Sequence, residues 1–494
     1  MKLKRKFYIE LIFLIFIGAL TSLSLPPFNY FIINFLTLSL FYIFLVKKVE
    51  TLKNKKMFFL YGWLFGLGYF TSNLYWISIS LTFDQNFKFL IPFTIILIPS
   101  FLAIFYGLVA YLFVVLKPNK NLSSFFLFSL LFGIVEFIRG TILTGFPWNL
   151  IAYSFSSYIE IISITSVIGT YSFNLFCISL FISPSIFILK KKRKDIIICV
   201  AFLITTLSFF IYGSQNIDNF YKAEINQHDY KIRIVGSNIS IDRFLFDIDP
   251  VSSINELIKT SNLQKNEKII LIWPEGILPG LYQDTINEFD WLFSNKLSEN
   301  HILVLGINSK ITENEIIKYF NSLSIYDHKL NLINSYNKIK LVPFGEFLPM
   351  ENLLRSFGLS TITNGYQSYT SGSKRKILDI NTKEFSLKIL PLICYEIIYS
   401  GRLFKNNNFD FILNISEDGW FGNSIGPFQH FAHNIFRAIE SGKYVLRSTN
   451  NGITAIINPI GVVEKKLNLN ENGYIDFTES REIKPTLFSQ YGNK

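Results

Sequence analysis

Seven apolar runs, each long enough to cross a bilayer, fill the first 213 residues and constrain this chain more than any other feature. They lie at 7–25, 28–46, 57–81, 89–116, 123–143, 158–189 and 195–213. A hydrocarbon core of about 30 Å takes about 20 helical residues, so each run reads as a transmembrane helix. Pro26-Pro27 break the first from the second and permit a tight reversal. The first run is read as an uncleaved span, because no small-residue cleavage site follows it before Pro26. A net charge of +11 raises the question of nucleic acid, but its placement answers otherwise. Sixteen Lys and Arg fall in four patches, Lys2 to Lys6, Lys47 to Lys56, Lys117 to Lys120 and Lys190 to Lys194. All four lie on one side of a seven-span arrangement, and the opposite short loops carry little more than Lys88 and Arg139. That asymmetry puts the N-terminus in the cytoplasm and everything after about Tyr212 outside it. The charge orients a membrane protein; no nucleic-acid partner is expected.

Few polar residues interrupt the membrane half. Glu136 and Arg139 stand i, i+3 on one helix, so they are expected to pair near the outer surface, a lipid head group being the alternative partner. Gly145-Phe146-Pro147-Trp148-Asn149 reads as an interfacial loop with Trp148 at head-group depth. Cys177 and Cys199 fall inside spans as packing residues, and three Cys in 494 residues argue against a disulfide framework.

Near residue 214 the composition changes to short strands and polar helices. Strands are expected at Lys231 to Asn238, Ile269 to Trp273, Ile302 to Ile307, Asn321 to Tyr326, Leu387 to Ile393, Phe409 to Ile415 and Tyr444 to Pro459. Helices are expected at 251–264, 284–297 and 428–441. Residues 214–494 therefore suit one α/β domain with a large sheet core. Within it, 348–372 fits no regular period and reads as a lid whose Leu353, Leu354 and Phe357 dip into the bilayer, a plain surface loop being the alternative. His430 and His433 are spaced i, i+3 on a helix, but no third ligand is suitably placed, so no metal and no cofactor are expected.

Three strand ends in this half carry chemistry. Ile272-Trp273-Pro274-Glu275 ends in a carboxylate, Tyr336-Asn337-Lys338 in an ammonium, and Leu392-Ile393-Cys394 in a thiol followed by Tyr395 and Glu396. Brought to one edge of a sheet, these groups supply what thiol acyl chemistry requires: a proton acceptor, an oxyanion stabiliser and a nucleophile. A buried Cys acting as a small apolar residue is the plain alternative for Cys394, and Lys340 competes with Lys338 on composition alone.

At these residues the chain resembles the nitrilase (carbon–nitrogen hydrolase) superfamily, whose Glu-Lys-Cys triad sits on an αββα sandwich. With the spans in front, it is similar to the apolipoprotein N-acyltransferase family. The resemblance rests on Tyr336 to Pro349 (YNKIKLVPFGEFLP), Leu392 to Glu396 (LICYE), Gly419 to His430 (GWFG…GPFQH) and Arg447 to Ala455 (RSTNNGITA). It implies a multi-pass helical membrane domain at 1–213 and a nitrilase-like catalytic domain at 214–494. It implies Glu275 as general base, Lys338 as oxyanion stabiliser and Cys394 as nucleophile, with Glu346, Tyr395 and Glu396 in supporting positions. The motif selects Lys338 over Lys340.

The activity implied is transfer of an acyl chain from a phospholipid, phosphatidylethanolamine, to the N-terminal amine of the diacylglyceryl-cysteine of apolipoproteins. It proceeds through a Cys thioester at the bacterial inner membrane, with the catalytic domain facing the periplasm. A membrane-tethered amidase and a non-catalytic scaffold are the competing readings. Two departures from the family pattern stand out. Ser416-Glu417-Asp418-Gly419-Trp420 has Glu417 where an Asn is usual. Many members return to the membrane with a final helix, whereas this chain stops at Lys494, so its C-terminus is expected outside the cytoplasm.

Overall fold

The structure, a computed structural model, describes the chain apart from Met1 and residues 119–120, 191–192, 247–248, 314, 357–367, 402, 404–407 and 494. The N-terminal half is a bundle of α1 (Lys2–Thr21), α2 (Ile32–Thr51), α3 (Lys56–Leu74), α4 (Ile91–Leu116), α5 (Asn121–Thr141), α6 (Thr165–Lys190) and α7 (Arg193–Lys222). Among the described residues six helices are long and apolar enough to cross a membrane, and α3 is not one of them. Its sequence mixes Tyr61, Trp63, Tyr69 and Asn73 among apolar residues, and its position explains why that is tolerated. Glycines seat it against α1 and α4. A Cβ on Gly18 would lie 2.0 Å from the Phe65 carbonyl oxygen, and one on Gly68 2.0 Å from that of Ile15. On the α4 side, a Cβ on Gly62 would stand 2.3 Å from the Tyr106 oxygen. Small residues that let backbones touch are the usual way helices associate inside a membrane. So α3 meets protein where its neighbours meet lipid.

The course of α3 nonetheless matches a span. Tyr61 packs on Phe44 of α2 with ring centres 5.0 Å apart, near the end where Lys48 pairs with Glu10 at 2.5 Å. At its other end Asn73 accepts from Gln429 Nε2 of the C-terminal domain at 3.2 Å. Two expected runs are shorter as helices than as apolar stretches. The run at 57–81 ends in a 3₁₀ segment, Tyr75–Thr82, and that at 158–189 opens with a short turn, Ile159–Ile162, before α6. Gly169 interrupts α6 with φ 72° and ψ 170°, and the Phe488 ring fills the space where its Cβ would be. Only a residue without a Cβ fits both demands.

Glu136 and Arg139 do pair, Arg139 Nε standing 3.2 Å from Glu136 Oε1, but both side chains are fully buried. Arg139 Nη1 also donates to the Phe146 carbonyl, so the pair holds the 145–149 loop rather than a head group. Trp148 likewise departs from expectation. It is 2% exposed, donates Nε1–H to Gln429 Oε1 at 2.9 Å and stacks on His430. A buried indole needs a partner for its N–H, and the catalytic domain provides one where lipid would not.

The C-terminal half is a two-sheet sandwich. One sheet contains β1 (Asn226–Gly236), β2 (Ile269–Ile272), β3 (His301–Gly306), β6 (Ser322–Tyr326), β7 (Leu332–Asn337) and β14 (Gly473–Ser480), in the order β14-β1-β2-β3-β6-β7. The other runs β13-β12-β11-β10-β9-β8, from β8 (Leu378–Asn381), β9 (Ser386–Ile393), β10 (Phe411–Glu417), β11 (Tyr444–Asn450), β12 (Thr454–Ile457) and β13 (Val463–Leu467). A separate hairpin pairs β4 (Ser309–Glu313) with β5 (Ile316–Phe320). Parallel pairing of β1, β2 and β3, and of β9, β10 and β11, explains why those strands read as continuous apolar runs.

Alternation along the first sheet makes two cores. Ile232, Ile234, Ile270, Ile272, Ile302 and Val304 join the core shared with the second sheet. Val235, Ile269, Leu271, Leu303 and Leu305 face Ile254 and Leu257 of α8 (Pro250–Ser261). Helix α8 begins where Asp249 accepts from the Val251 amide at 2.9 Å and ends at Asn262 in the left-handed region. On the far side lies α9 (Gly426–Ser441), buried nearly all round between the second sheet and the helix bundle. Two expectations are corrected. Tyr444 to Pro459 is a hairpin that turns at Asn451, and 284–297 holds only two short turns, Ile286–Phe289 and Asp290–Phe293. Of 348–372, residues 357–367, Phe357 among them, and the side chains of Leu353 and Leu354 lie outside the described residues; a short helix, Glu351–Ser356, precedes them, Leu348 is buried and Tyr369 donates to Asn308 Oδ1 at 2.9 Å.

Candidate active site

Three strand ends deliver the expected groups to one place between the sheets. Glu275 follows β2 through Trp273-Pro274, Lys338 follows β7, and Cys394 follows β9. The backbone at Gly306 on β3 comes so close that a Cβ there would sit 2.5 Å from the Glu275 Cα. Lys338 Nζ donates to Glu275 Oε1 at 3.1 Å and to Glu346 Oε1 at 3.0 Å. All three side chains are almost fully buried. Asn321 spans the same two carboxylates, its Nδ2 lying 2.7 Å from each Oε1. Burial alone would pull the Lys338 ammonium down, but Glu275 and Glu346 hold it well above its ordinary value. Burial and the nearby Glu275 push the Glu346 carboxyl up, against the pull of Lys338. One cation thus faces two carboxylates.

Cys394 sits at the point where β9 gives way to a 3₁₀ turn, Cys394–Ile398, with φ 47°. A non-glycine residue in that region is strained, and such strain gathers where a side chain must be aimed. Burial raises its thiol well above the usual value, Glu275 raises it further, and Lys338 and a hydrogen bond with Ser416 only partly offset them. Lys338 favours a thiolate but does not prevail. The resting group is a thiol, and the proton leaves only if a base takes it. Of the Glu275 carboxylate, Oε1 is engaged by Lys338 and Asn321, while Oε2 receives the Glu417 amide at 2.9 Å.

Glu396 braces the site. Its Oε1 accepts from the Tyr336 hydroxyl at 2.8 Å and the Ile339 and Lys340 amides at 3.0 and 3.2 Å, and its Oε2 from the Ile393 amide at 2.9 Å. One carboxylate therefore fixes both the chain after Lys338 and the residue before Cys394. Lys340 is directed away, its ammonium lying 5.4 Å from the Tyr399 ring centre. Tyr395 turns toward the membrane half and donates to the Gly145 carbonyl at 3.0 Å.

Several participants escaped the sequence reading. Asn321 begins an apolar strand, where only its polarity sets it apart. His430 lies with Nε2 3.3 Å from the Cys394 carbonyl and Nδ1 3.0 Å from Asp418 Oδ1, and Arg447 Nη2 reaches Nδ1 at 3.2 Å and Asp418 Oδ2 at 2.7 Å. Burial opposes the Asp418 charge, yet Arg447 and His430 hold its carboxyl well below the usual range. Burial, together with Arg447, pulls the His430 imidazole down, although Asp418 resists. The two ring nitrogens thus face two acceptors, the Cys394 carbonyl and the Asp418 carboxylate, with Arg447 beside Nδ1. His433, one turn on, packs edge-on against Tyr153 at 4.4 Å.

Comparison with known proteins covers both halves. Residues 17–183 match the apolipoprotein N-acyltransferase N-terminal domain family, and residues 251–482 match the carbon–nitrogen hydrolase family. The apolipoprotein N-acyltransferase of Rickettsia prowazekii (strain Madrid E) is 35% identical over 97% of this chain and 93% of its own. That of Rhizobium leguminosarum bv. trifolii (strain WSM2304) is 30% identical over 94% of this chain and 89% of its own. Among solved structures, Saccharomyces cerevisiae Nit3, of the nitrilase superfamily, aligns with 52% of this chain and 91% of that one at 17% identity and a TM-score of 0.35. The likeness to the two bacterial enzymes runs through helix bundle and sandwich alike, and the chain belongs to the apolipoprotein N-acyltransferase family.

Proposed function

We propose that this membrane enzyme takes an acyl chain from a phospholipid, phosphatidylethanolamine first among them, and passes it to the N-terminal amine of a diacylglyceryl-cysteine on an apolipoprotein. The reading rests above all on the Glu275–Lys338–Glu346 cluster beside the Cys394 thiol, joined to an apolar helix bundle. Cys394 acts as nucleophile, Glu275 as proton acceptor and Lys338 as oxyanion stabiliser. As sulfur attacks the ester carbonyl, Glu275 takes the thiol proton through Oε2. The tetrahedral oxyanion forms beside the Lys338 ammonium, whose charge the two carboxylates keep in place. Collapse breaks the ester C–O bond; the lysophospholipid leaves as an alcohol carrying the proton from Glu275, and the acyl chain stays on sulfur as a thioester. The acceptor amine then attacks the thioester, its proton passes to Glu275, and sulfur departs to regain that proton. Glu346, Asn321 and Glu396 hold these groups and undergo no bond change.

The basic patches support an N-terminus in the cytoplasm, with α1 to α7 crossing the inner membrane in alternation and residues 214–494 in the periplasm. Radiolabelled phospholipid supplied with an apolipoprotein tests the reading. Label on the apolipoprotein amine is the expected product. Cleavage of small amides without acyl transfer would favour an amidase, and no turnover at all would favour a scaffold.

A further inference from the structure

Glu417 ends β10 with a carboxylate that is 2% exposed. Arg243 Nη2 donates to its Oε2, Asn450 Nδ2 stands 3.1 and 2.9 Å from its two oxygens, and the Gly419 amide donates at 2.9 Å. Arg243 in turn donates Nη1–H to the carbonyls of Ile239, at 3.2 Å, and Ser240, at 2.8 Å. Asn450 Oδ1 accepts from Ser237 Oγ at 2.6 Å and the Ile239 amide at 2.9 Å. These bonds clasp the segment after β1, in one sheet, to the ends of β10 and β11 in the other. One donor leaves the clasp toward the reacting groups: the Glu417 amide, 2.9 Å from Glu275 Oε2.

We propose that the Arg243–Glu417 pair is a positioning device for the proton acceptor, fixing the end of β10 so that the Glu417 amide holds Glu275 Oε2 toward the thiol. This rests on Glu275 taking the thiol proton. Glu275 Oε1 is anchored by Asn321 and Lys338, so the Glu417 amide is what stops the carboxylate turning both oxygens onto that ammonium. Arg243 matters because the groups around Glu417 are donors. Burial already lifts the Glu417 carboxyl to about 7 against the pull of Arg243. Without the guanidinium the group protonates, and its new O–H faces the donors of Asn450 and Gly419. The end of β10 then has to shift. Gln at 417 brings the same conflict, since its amide N–H donors stand in the place of the new O–H.

The full-length protein in micelles with acyl-labelled phosphatidylethanolamine tests this through the rate of label transfer to Cys394. Arg243→Met is expected to slow transfer at saturating donor by about tenfold or more, with half-saturation moved by less than about twofold. Arg243→Met with Glu417→Gln is expected to be as slow as Arg243→Met, because the neutral amide meets the same donors as the protonated carboxyl. A wild-type rate in Arg243→Met, or a double variant that regains the wild-type rate, overturns the proposal. Should Arg243→Met not accumulate as folded protein, Arg243→Lys is read instead, since it keeps the charge but loses the forked grip on two carbonyls. Slowing by about fivefold then supports the device, and an unchanged rate overturns it. A wild-type protein that never acquires label refutes the acyl-enzyme reading beneath, whatever the variants do.

Discussion

Burial holds the Cys394 thiol in its protonated form, and the charges around it explain both that state and its release. Its folded value lies above the ordinary one. The thiolate is therefore scarce below that ordinary value and grows only as pH climbs through the raised one. Alkylation of Cys394 by iodoacetamide should then be slower at neutral pH than for a free thiol and still be rising above about pH 9. Glu275→Gln removes the charge that lifts the thiol, so alkylation at neutral pH should quicken. The same change should cost acyl transfer about 10²- to 10⁴-fold, because the proton acceptor is gone. Faster alkylation with lost transfer distinguishes a base from a mere packing partner; unchanged transfer would contradict the role. Glu275 and Cys394 were legible in the sequence because each follows an apolar strand, and a strand end is a place where chain direction fixes side-chain position; Lys338 follows the mixed strand LINSYN and was picked out by its motif. The raised thiol was not, since burial is a property of the assembled site. Asn321 and Glu417 were equally hidden: one looks like a strand start, and the other acts through its backbone amide.

At the level of elements, periodicity identified what faces lipid better than what faces protein. Helix α3 has the length of a span and the packing of a core element, which is why its polar residues are tolerated. Gly68→Val would drive two methyl groups into the Ile15 carbonyl of α1, from which even a Cβ stands only 2.0 Å. A loss of about 3 kcal/mol or more is expected, read as a lower melting temperature of the detergent-solubilised protein, with wild-type melting as the contrary result. Trp148 was misplaced for the converse reason. Beside an apolar run a Trp usually marks a membrane surface, but here Gln429 and His430 claim both its N–H and its face. Through that loop the bundle touches the surroundings of Cys394 twice: Trp148 lies on the ring that meets the Cys394 carbonyl, and Gly145 receives the Tyr395 hydroxyl. The β4–β5 hairpin and the edge strands β13 and β14 went unread because their exposed, charged alternation resembles a loop.

Over the whole molecule, two halves of unlike composition meet across α9, whose buried Arg437 and Glu440 pair at 2.7 Å and whose Glu440 also accepts from Thr170 Oγ1 at 2.6 Å. The class of fold was legible because hydropathy divides the chain so sharply near residue 214. Reporter fusions after Lys120, Lys194 and Lys494 check the orientation. The first two should be active in the cytoplasm and the third only outside it; a reporter at Lys494 active in the cytoplasm would contradict the seven-span course. The central claim is that Cys394 carries the acyl chain between donor and acceptor. It is tested most directly by mass spectrometry of the intact protein after incubation with phosphatidylethanolamine alone. The account predicts one acyl chain, mapped to Cys394, lysophospholipid released before any acceptor is present, and neither in Cys394→Ala. An acyl chain on Cys177 or Cys199, or full transfer to an apolipoprotein by Cys394→Ala, would contradict it.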